Sequence, residues 1–309
     1  MKKSIRLILA LTCSLSLFSC IGKRKVAKMN NKINNQLTEE ANMQQKLVSL
    51  DSLNDIKKKR GEMDDSVSQT LKAKLSSETA ASTQRADSLK KLAATLAPHM
   101  KRRLFRRAVV FNTEGKLIIN EKKQDVYFVD DLLKQQNFIK FNTATFFPPG
   151  GFEIPSEKLE TAKSIFKPVL DSLIVFLDKY KQRKISSSIV CYGYADEQPI
   201  KDRSELWNTI TRNLNDTNAS RQRLNIELSR LRSEDVSGIM KSIFLQNINR
   251  FPDSSSTEMR FIKIGKGEDY PNKTITDYTV ADERRRIVVI FWNALPKELF
   301  EGKHKQIGN

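Results

Sequence analysis

The chain has 309 residues, with 54 lysines and arginines against 36 aspartates and glutamates, which gives a formal charge of +18. Its hydrophobic fraction of 39% excludes a wholly disordered chain, and its 11 glycines and 9 prolines exclude a collagen-like one. The chain contains 3 cysteines and 2 histidines, which supply few of the side chains that a disulfide scaffold or most metal sites need. So large a positive charge is typical of proteins that bind nucleic acid. Whether it indicates that partner here depends on where in the chain the charge lies.

The N-terminus has the pattern of a secretory signal. Three positive charges at the start precede the apolar run 7–18. This run is too short to cross a hydrocarbon core, which takes roughly 20 apolar residues, but it fits the hydrophobic region of a signal peptide. The run ends in Leu-Phe-Ser-Cys at positions 17–20, which resembles a bacterial lipobox.

The lipobox resemblance implies cleavage before Cys20 and acylation of that cysteine, so that residues 1–19 are a lipoprotein signal peptide. Several acyl chains on one residue give stable anchoring, since each buried methylene adds about 0.8 kcal/mol. Ile21 and Gly22 do not form an acidic inner-membrane retention signal, so we expect a lipid anchor in the outer membrane, facing the periplasm. The alternatives are an ordinary cysteine after a short hydrophobic helix and an uncleaved single-span anchor.

The three cysteines fit this compartment. Cys13 leaves with the signal and Cys20 is acylated, so Cys191 has no partner for an internal disulfide. Cys191 lies in the apolar run 188–192, which predicts a small buried hydrophobic residue rather than a nucleophile.

Most of the positive charge lies in residues 20–107, a predicted basic helical arm. Residues 21–107 hold 20 lysines and arginines against 9 acids, whereas residues 108–309 hold 31 against 27. The arm contains 1 glycine between Lys23 and Ala97 and no proline there, a helix-forming composition. Its apolar residues recur at helical steps without sustained heptads, which predicts two or three helices with a break at 76–85. A partly disordered tether is the alternative.

Two short segments follow in the chain. Residues 101–107 contain one lysine and four arginines, a pattern typical of a solvated face that, as a site, suits anionic headgroups or acidic partners. Val109–Phe111 and Leu117–Ile119 flank the turn-like Asn112–Gly115. This pattern predicts a small β-hairpin within a connecting segment at 108–136.

From residue 137 the pattern alternates between strand and helix. Strands are predicted at 138–141, 185–194, 259–264 and 286–292, and helices at 156–180 and 218–245. Helices that alternate with strands indicate an α+β fold, a two-layer α/β sandwich with a βαβαβ core, over residues 137–295. Residues 296–309 are predicted to be a polar C-terminal tail.

Four motifs in this domain resemble the OmpA-like peptidoglycan-binding domain. The family's Gly-His-Thr-Asp motif at a strand end corresponds to residues 193–196, Gly-Tyr-Ala-Asp, and its Asn-x-x-Leu-Ser-x-x-Arg helix to residues 225–232. Its Gly-x-Gly-Glu-x-x-Pro turn corresponds to residues 265–271, and its Asn-Arg-Arg-Val strand to residues 284–287. Each motif alone is weak, but four in the right order make chance a poor explanation. They cover about half of the chain.

The resemblance implies a site for the free end of a diamino acid in the peptidoglycan stem peptide, a zwitterion with an ammonium and a carboxylate on one carbon. Asp196 would accept from the ammonium, and Arg232 would make a bidentate contact to the carboxylate, both as charge-assisted bonds. Asn225 and Ser229 share the helix face of Arg232 and would orient the arginine or extend the donor set.

Three departures from the family pattern concern this site. The two residues before Asp196 are tyrosine and alanine where the family has histidine and threonine. Arg284–Arg286 replaces Asn-Arg-Arg, and Arg284 is either a ligand contact or a surface charge beside a strand. An insertion of 28 residues, 197–224, separates Asp196 from the motif helix and either forms a lid over the site or blocks it.

The sequence therefore predicts a lipid-anchored envelope protein that binds peptidoglycan non-covalently and tethers the outer membrane to the cell wall. No enzyme motif, cofactor motif or metal-ligand spacing is present, so no catalytic activity, cofactor or metal is expected. A periplasmic location excludes nucleic acid as a partner. The alternative is a structural subunit of an envelope-spanning secretion, motility or conjugation machine, whose helical arm and insertion 197–224 contact envelope proteins.

Overall fold

The computed structural model describes residues 22–98, 100–135, 138–147, 151–251 and 257–297. The predicted signal peptide, Cys20, and all but the first two residues of the predicted tail lie outside the described residues. The chain divides into two compact units. One comprises the chain up to Ser52 together with Ala73–Asp131, and the other comprises Leu53–Lys72 and the chain from Leu132 onward.

Long helices build the first unit, called here the helical unit. They are α1 (Lys23–Lys59), α2 (Asp65–Thr95) and α3 (Arg102–Lys134), of which residues 53–59, 65–72 and 132–134 belong to the second unit. Near the start of α1 the three helices share a core cluster of Val26, Met29, Ile33, Leu89, Leu96 and Ala108. Such burial stabilises helices because packing of an apolar face adds more than helix propensity alone. None of the helices described has a stretch of membrane-spanning length and hydropathy.

The β-hairpin predicted within 108–136 is wrong, because α3 runs through its residues without a break. The buried positions Ala108, Asn112 and Ile119 follow helical spacing, whereas the apolar triplets that suggested strands are largely exposed. Asn112 is buried because it is paired: its Nδ2 donates to Oε1 of Gln36, and its carbonyl accepts from Nε2 of Gln36, both at 2.7 Å. A satisfied polar residue therefore occupies the buried face where the sequence pattern indicated a turn.

The break predicted at 76–85 is also wrong, since α2 is continuous from Asp65 to Thr95. This polar stretch supplies a buried ion pair, in which Nε of Arg85 lies 2.6 Å from Oε1 of Glu40. The hydroxyl of Ser82 donates to the other oxygen of Glu40, and both of these residues are 0% exposed. A carboxylate at this depth is tolerated because it is both paired and hydrogen-bonded.

The second unit contains a four-stranded sheet and the helices that pack on it. Its elements are β1 (Phe138–Asn142), α4 (Thr143–Phe146), α5 (Ser156–Lys179), β2 (Ile185–Gly193), α6 (Glu205–Leu214), α7 (Arg221–Gln246), β3 (Thr257–Gly265) and β4 (Ile287–Pro296). Short 3-10 helices lie at Ile248–Arg250 and Glu283–Arg285. The strand order is β1-β4-β2-β3, with β2 parallel to β3, and with β4 antiparallel to both β1 and β2. The predicted α+β fold class is confirmed.

Side chains from both sides cover the sheet. On one face, the indole Nε1 of Trp292 in β4 donates to the hydroxyl of Ser172 in α5 at 2.7 Å. On the other face, the hydroxyl of Tyr192 in β2 donates to the carboxylate of Asp64, which lies between α1 and α2. All residues of β4 are buried, as expected for a strand covered on two faces. The contact between the α1–α2 connection and the sheet was not predicted from the sequence.

Candidate ligand-binding site

The candidate site is a cavity of about 540 Å³ at the C-terminal end of β2. The chain leaves β2 at Gly193 and is held by two backbone bonds, from Tyr194 N–H to the Ile287 carbonyl at 2.9 Å and from Ala195 N–H to the Gly267 carbonyl at 2.7 Å. These bonds fix the position of Asp196, whose side chain lines the cavity.

Glycines at the strand ends let α7 lie directly against the sheet. A Cβ at Gly193 would lie 1.9 Å from the carbonyl oxygen of Ser229, and a Cβ at Gly265 would lie 2.3 Å from that of Ile226. No side chain fits at such distances. Two glycines of the sequence motifs therefore set the approach of α7, the helix that brings Arg232 to the cavity.

The carboxylate of Asp196 already has one cationic partner. Its Oδ2 accepts from Nε of Arg286 at 2.7 Å, whereas its Oδ1 has a long contact of 3.4 Å with the N–H of Gln198. Hydrogen bonds from a charged donor to a carboxylate are normally about 2.8 Å long. Oδ1 therefore has only a weak hydrogen bond and can accept a stronger one. Asp196, at 7% exposure, thus offers one oxygen to a donor in the cavity.

Arg232 reaches the same cavity from α7. Its Nε and Nη2 both donate to the carbonyl of Gly151 at 3.3 Å, and its guanidinium carbon lies 5.5 Å from the ring centroid of Phe147. Burial lowers the pKa of Arg232 to about 10, against the opposing effect of the Asp196 charge. Among the described residues it forms no ion pair, so a carboxylate ligand would stabilise this partly buried cation.

Asn225 holds the loop that follows β2. Its Nδ2 donates to the carbonyl of Asp196 at 3.1 Å, to that of Gln198 at 3.3 Å and to Oε1 of Glu268 at 2.8 Å. Asn225 lines the cavity. Among the described residues its side chain bonds to backbone carbonyls and to Glu268 rather than to Arg232, so it shapes the acidic side of the site.

Ser229 supports the turn behind the cavity. Its hydroxyl accepts from the N–H of Gly267 at 2.9 Å and donates to the carbonyl of Ile226 at 2.8 Å. Ser229 is not among the residues that line the cavity. The structure therefore brings Asp196, Asn225 and Arg232 together at the cavity and places Ser229 one layer behind them.

The insertion 197–224 forms one wall of the cavity. Its helix α6 is capped at the start by Ser204, whose Oγ accepts from the N–H of Trp207 at 3.1 Å, and Ile210 packs with Leu228 of α7 in one apolar cluster. Lining residues from the insertion are Gln198, Pro199, Ile200, Lys201, Ser204, Glu205 and Leu206. The insertion therefore supplies part of the lining of the cavity.

Side chains of both charge signs line the cavity. They are Asp196, Lys201, Glu205, Arg232 and Arg286. Asp196 and Arg286 form an ion pair, whereas Lys201, Glu205 and Arg232 form none with the residues that the structure describes. A zwitterionic ligand requires such unpaired charges of opposite sign in one cavity. Lys201, Glu205 and Arg286 were not predicted as site residues.

The arginine triplet has three separate roles. Arg284 lies at the surface, with Nη2 2.6 Å from Oδ2 of Asp282. Arg285 is 1% exposed and lies 2.7 Å from Oε1 of Glu197, and Arg286 pairs with Asp196. Strand pairing could have identified Arg286 as a site residue. It precedes β4, and in the antiparallel pair of β2 and β4 the start of β4 lies beside the end of β2.

Cys191 is fully buried, as predicted. Burial raises the pKa of its thiol to about 12, which leaves it protonated and inert at neutral pH. Within the part of the chain that the structure describes, no group of three or more histidine, cysteine, aspartate or glutamate side chains is arranged to hold a metal ion.

Comparison with known proteins gives limited matches. No protein-family model and no curated protein matches the chain. Among solved structures, a MotB-like protein from Desulfovibrio vulgaris matches with 16% identity and a TM-score of 0.26, over 52% of this chain and 77% of that one. The periplasmic domain of Helicobacter pylori MotB matches with 13% identity and a TM-score of 0.26, over 56% of this chain and 83% of that one. Likenesses this weak carry no information on what this chain binds.

Proposed function

We propose that the second unit is an OmpA-like domain that binds peptidoglycan non-covalently, by holding the free end of a diamino acid in the stem peptide. One observation carries the proposal: Arg232, without an ion pair among the described residues, shares a cavity with the underused Oδ1 of Asp196. A cavity of about 540 Å³ accommodates a ligand of this size. The four sequence motifs support the same ligand.

The binding chemistry follows from the two charges of the ligand. The planar guanidinium of Arg232 makes two parallel bonds to the ligand carboxylate, which is a better partner than the Gly151 carbonyl that it contacts at 3.3 Å. The ligand ammonium donates to Oδ1 of Asp196 and to Glu205 on the insertion wall. Because Asp196 and Arg232 are partly removed from water, their attractions are stronger than at an open surface.

The remaining parts of the proposal concern location and reaction. A signal peptide at 1–19 and acylation of Cys20 would anchor the protein in the outer membrane, with the described residues in the periplasm. The helical unit would hold the wall-binding domain away from the membrane, so that the protein tethers the two layers. We propose binding without catalysis, since the charged groups of the cavity match a zwitterion rather than a reacting bond.

The test is co-sedimentation of purified residues 21–309, which include all described residues, with insoluble peptidoglycan. We expect Arg232→Ala and Asp196→Ala each to weaken binding by at least about 30-fold, because truncating one partner of a buried charge pair typically costs 2–5 kcal/mol. The matched control is Arg230→Ala on the same helix, since Arg230 pairs with Glu227 and Glu234 and does not line the cavity.

Two results would overturn the proposal. One is an absence of wall binding by the unmodified protein, and the other is full retention by both cavity variants. Circular dichroism of each variant must match the parent protein, so that a loss of binding reports the site and not the fold. Competition by a free stem peptide that ends in the diamino acid should release the bound protein.

The alternative, a structural subunit of an envelope-spanning machine, makes a different prediction for the same protein. Purification of the anchored protein from its membrane would then recover a stoichiometric protein partner. Recovery of wall fragments without such a partner would count against the alternative. Wall binding that survives in purified protein would favour the tether.

A further inference from the structure

The charge of the helical unit is segregated along its helices. Residues 22–38, 88–98 and 100–113 contain twelve lysines and arginines and no aspartate or glutamate. The rest of the unit, residues 39–52, 73–87 and 114–131, contains six lysines and arginines and ten acids. The first set of residues is called the basic end below.

The three stretches of the basic end lie together in the folded unit. Val26 of α1, Leu89 of α2 and Ala108 of α3 belong to one buried core cluster. Phe105 packs against that cluster, which places the first turns of α3 beside the start of α1. The basic residues of all three helices therefore share one end of the bundle.

The basic side chains of this end are exposed, and all but one lack an ion-pair partner among the described residues. All twelve are classed as exposed. In the described part of the chain, Lys90 lies 3.5 Å from the carboxylate of Asp87, and the other eleven form no ion pair. Like charges gathered in this way repel one another, so an anionic partner would relieve the repulsion.

Exposed apolar side chains lie among the arginines of α3. Leu104 is 50% exposed, Val110 is 54% exposed and Phe111 is 42% exposed. Val110 follows Arg106 by four residues and Arg107 by three, so apolar and basic side chains share the outward face of the helix. This combination matches surface helices that lie in the headgroup region of anionic membranes.

We propose that the basic end of the helical unit binds the surface of an anionic phospholipid membrane. Arg102, Arg103, Arg106 and Arg107 contact lipid phosphates, and Leu104 and Phe111 enter the headgroup region. The order of the chain favours lipid over an acidic protein, because α1 begins in this end at Lys23, three residues after the proposed anchor Cys20. The inference is independent of wall binding, since it uses no residue of the second unit.

The test is flotation of residues 21–309 with lipid vesicles, so that no signal peptide or acyl chain contributes. Vesicles of phosphatidylglycerol and phosphatidylcholine in about 0.1 M salt, where the Debye length is about 10 Å, should bind the protein at least about 10-fold better than pure phosphatidylcholine. Replacement of Arg102, Arg103, Arg106 and Arg107 by glutamine should remove most of that difference. Raising the salt to about 0.5 M should weaken binding in the same way.

The matched control removes the same charge from the second unit, by replacing the exposed Lys140, Lys181, Lys241 and Lys273 with glutamine. This control should bind anionic vesicles like the parent, and Arg232→Ala should do so as well. Equal binding to neutral and anionic vesicles would overturn the proposal, as would equal losses in the two quadruple variants. Failure of the parent to bind vesicles, with a stoichiometric acidic protein captured instead, would also overturn it.

Discussion

Arg286 donates from its Nε to Oδ2 of Asp196 across 2.7 Å, and this bond connects the start of β4 to the end of β2. It fixes the plane of the Asp196 carboxylate and leaves Oδ1 with one contact among the described residues, the N–H of Gln198 at 3.4 Å. Arg286 is therefore a positioning residue for the proposed ammonium contact, and it also keeps a buried carboxylate from lying unpaired.

Arg286→Gln should weaken the binding of a stem-peptide fragment by about 10-fold, because Asp196 keeps its charge but loses its fixed orientation. Isothermal titration calorimetry measures the change. The matched control is Arg284→Gln in the same triplet, where the side chain pairs with Asp282 and Asp277 at the surface. Equal losses in the two variants would show that net charge, and not orientation, is what matters.

Glu205→Gln tests whether the insertion contacts the ligand ammonium. The variant should bind the native fragment about 10-fold less tightly, but it should bind a fragment acetylated at that amine as the parent does. The comparison of the two fragments isolates the charge contact from any change in fold. Asp202→Asn, elsewhere on the insertion and outside the cavity lining, should change neither affinity. A loss that is the same for both fragments would remove Glu205 from the ammonium site.

Tyr192→Phe should lower the free energy of unfolding by about 1–3 kcal/mol, because it leaves the Asp64 carboxylate without its hydroxyl donor. Both residues are 4% exposed. Burial, together with the Asp64 charge, holds the pKa of Tyr192 far above its ordinary value, so the hydroxyl remains a donor throughout the neutral range. Urea denaturation followed by tryptophan fluorescence measures the change, with the exposed Tyr270→Phe as the control that should have no effect.

Gly193→Ala should destabilise the second unit by about 3 kcal/mol, since the new methyl group meets the Ser229 carbonyl and forces α7 off the strand. Gly238→Ala on the same helix has no atom within 4 Å of its new methyl group, so we expect it to raise the free energy of unfolding by about 0.5–1 kcal/mol. Chemical denaturation of both variants measures whether the two changes in the free energy of unfolding have opposite signs. Similar effects at the two glycines would contradict the close approach of α7.

The helical unit should lose stability in acid through Glu78. Burial alone would raise the pKa of Glu78, but hydrogen bonds and charges from Lys74 and Lys122 hold it below its ordinary value. A lowered pKa means that the stabilisation is complete above the unfolded value, near 4.5, and is lost as the pH falls through the lower folded value. Glu78→Gln should remove about 1 kcal/mol of this acid-dependent loss, measured by helical circular dichroism in urea at neutral and acidic pH.

The exposed pair of Lys90 and Asp87, 3.5 Å apart, provides the control for that experiment. Asp87→Asn should change the free energy of unfolding at neutral pH by less than about 1 kcal/mol, because solvent screens a pair on an open surface. An equal effect at Asp87 and Glu78 would mean that the helical unit responds to its total charge rather than to one buried carboxylate.

The four strands and the helices α5 and α7 of the second unit were predictable because each has a consistent hydrophobic period, whereas the helices α4 and α6 were not predicted. The helix Ser156–Lys179 and the strand Ile185–Gly193 both lie within about two residues of the boundaries expected from sequence. The motif residues Asp196 and Arg232 could be placed in one site because the family resemblance supplied the pairing. The position of Glu205 at the cavity could not be predicted, because it lies in an insertion that has no counterpart in the family motifs.

The helical unit shows why the rest could not be predicted. Its buried face includes Asn112, Ser82 and Glu40, polar residues that count against burial in any hydrophobic pattern. Each is satisfied by a partner more than forty residues away in the chain, such as Gln36 for Asn112, at 2.7 Å. Long-range pairing of polar side chains leaves no local signal, so a helix was mistaken for a hairpin and a continuous helix for a broken one.

The ion pair of Glu40 and Arg85 determines which turn of α1 lies beside which turn of α2. If α1 slipped along α2 by one turn, Glu40 would enter the interior without Arg85 or Ser82, at a cost of several kcal/mol. Gln36 and Asn112 impose the same condition on α1 and α3. A purely aliphatic interface would allow the helices to slide along one another under tension. These buried polar pairs instead hold the bundle in a single register that resists pulling.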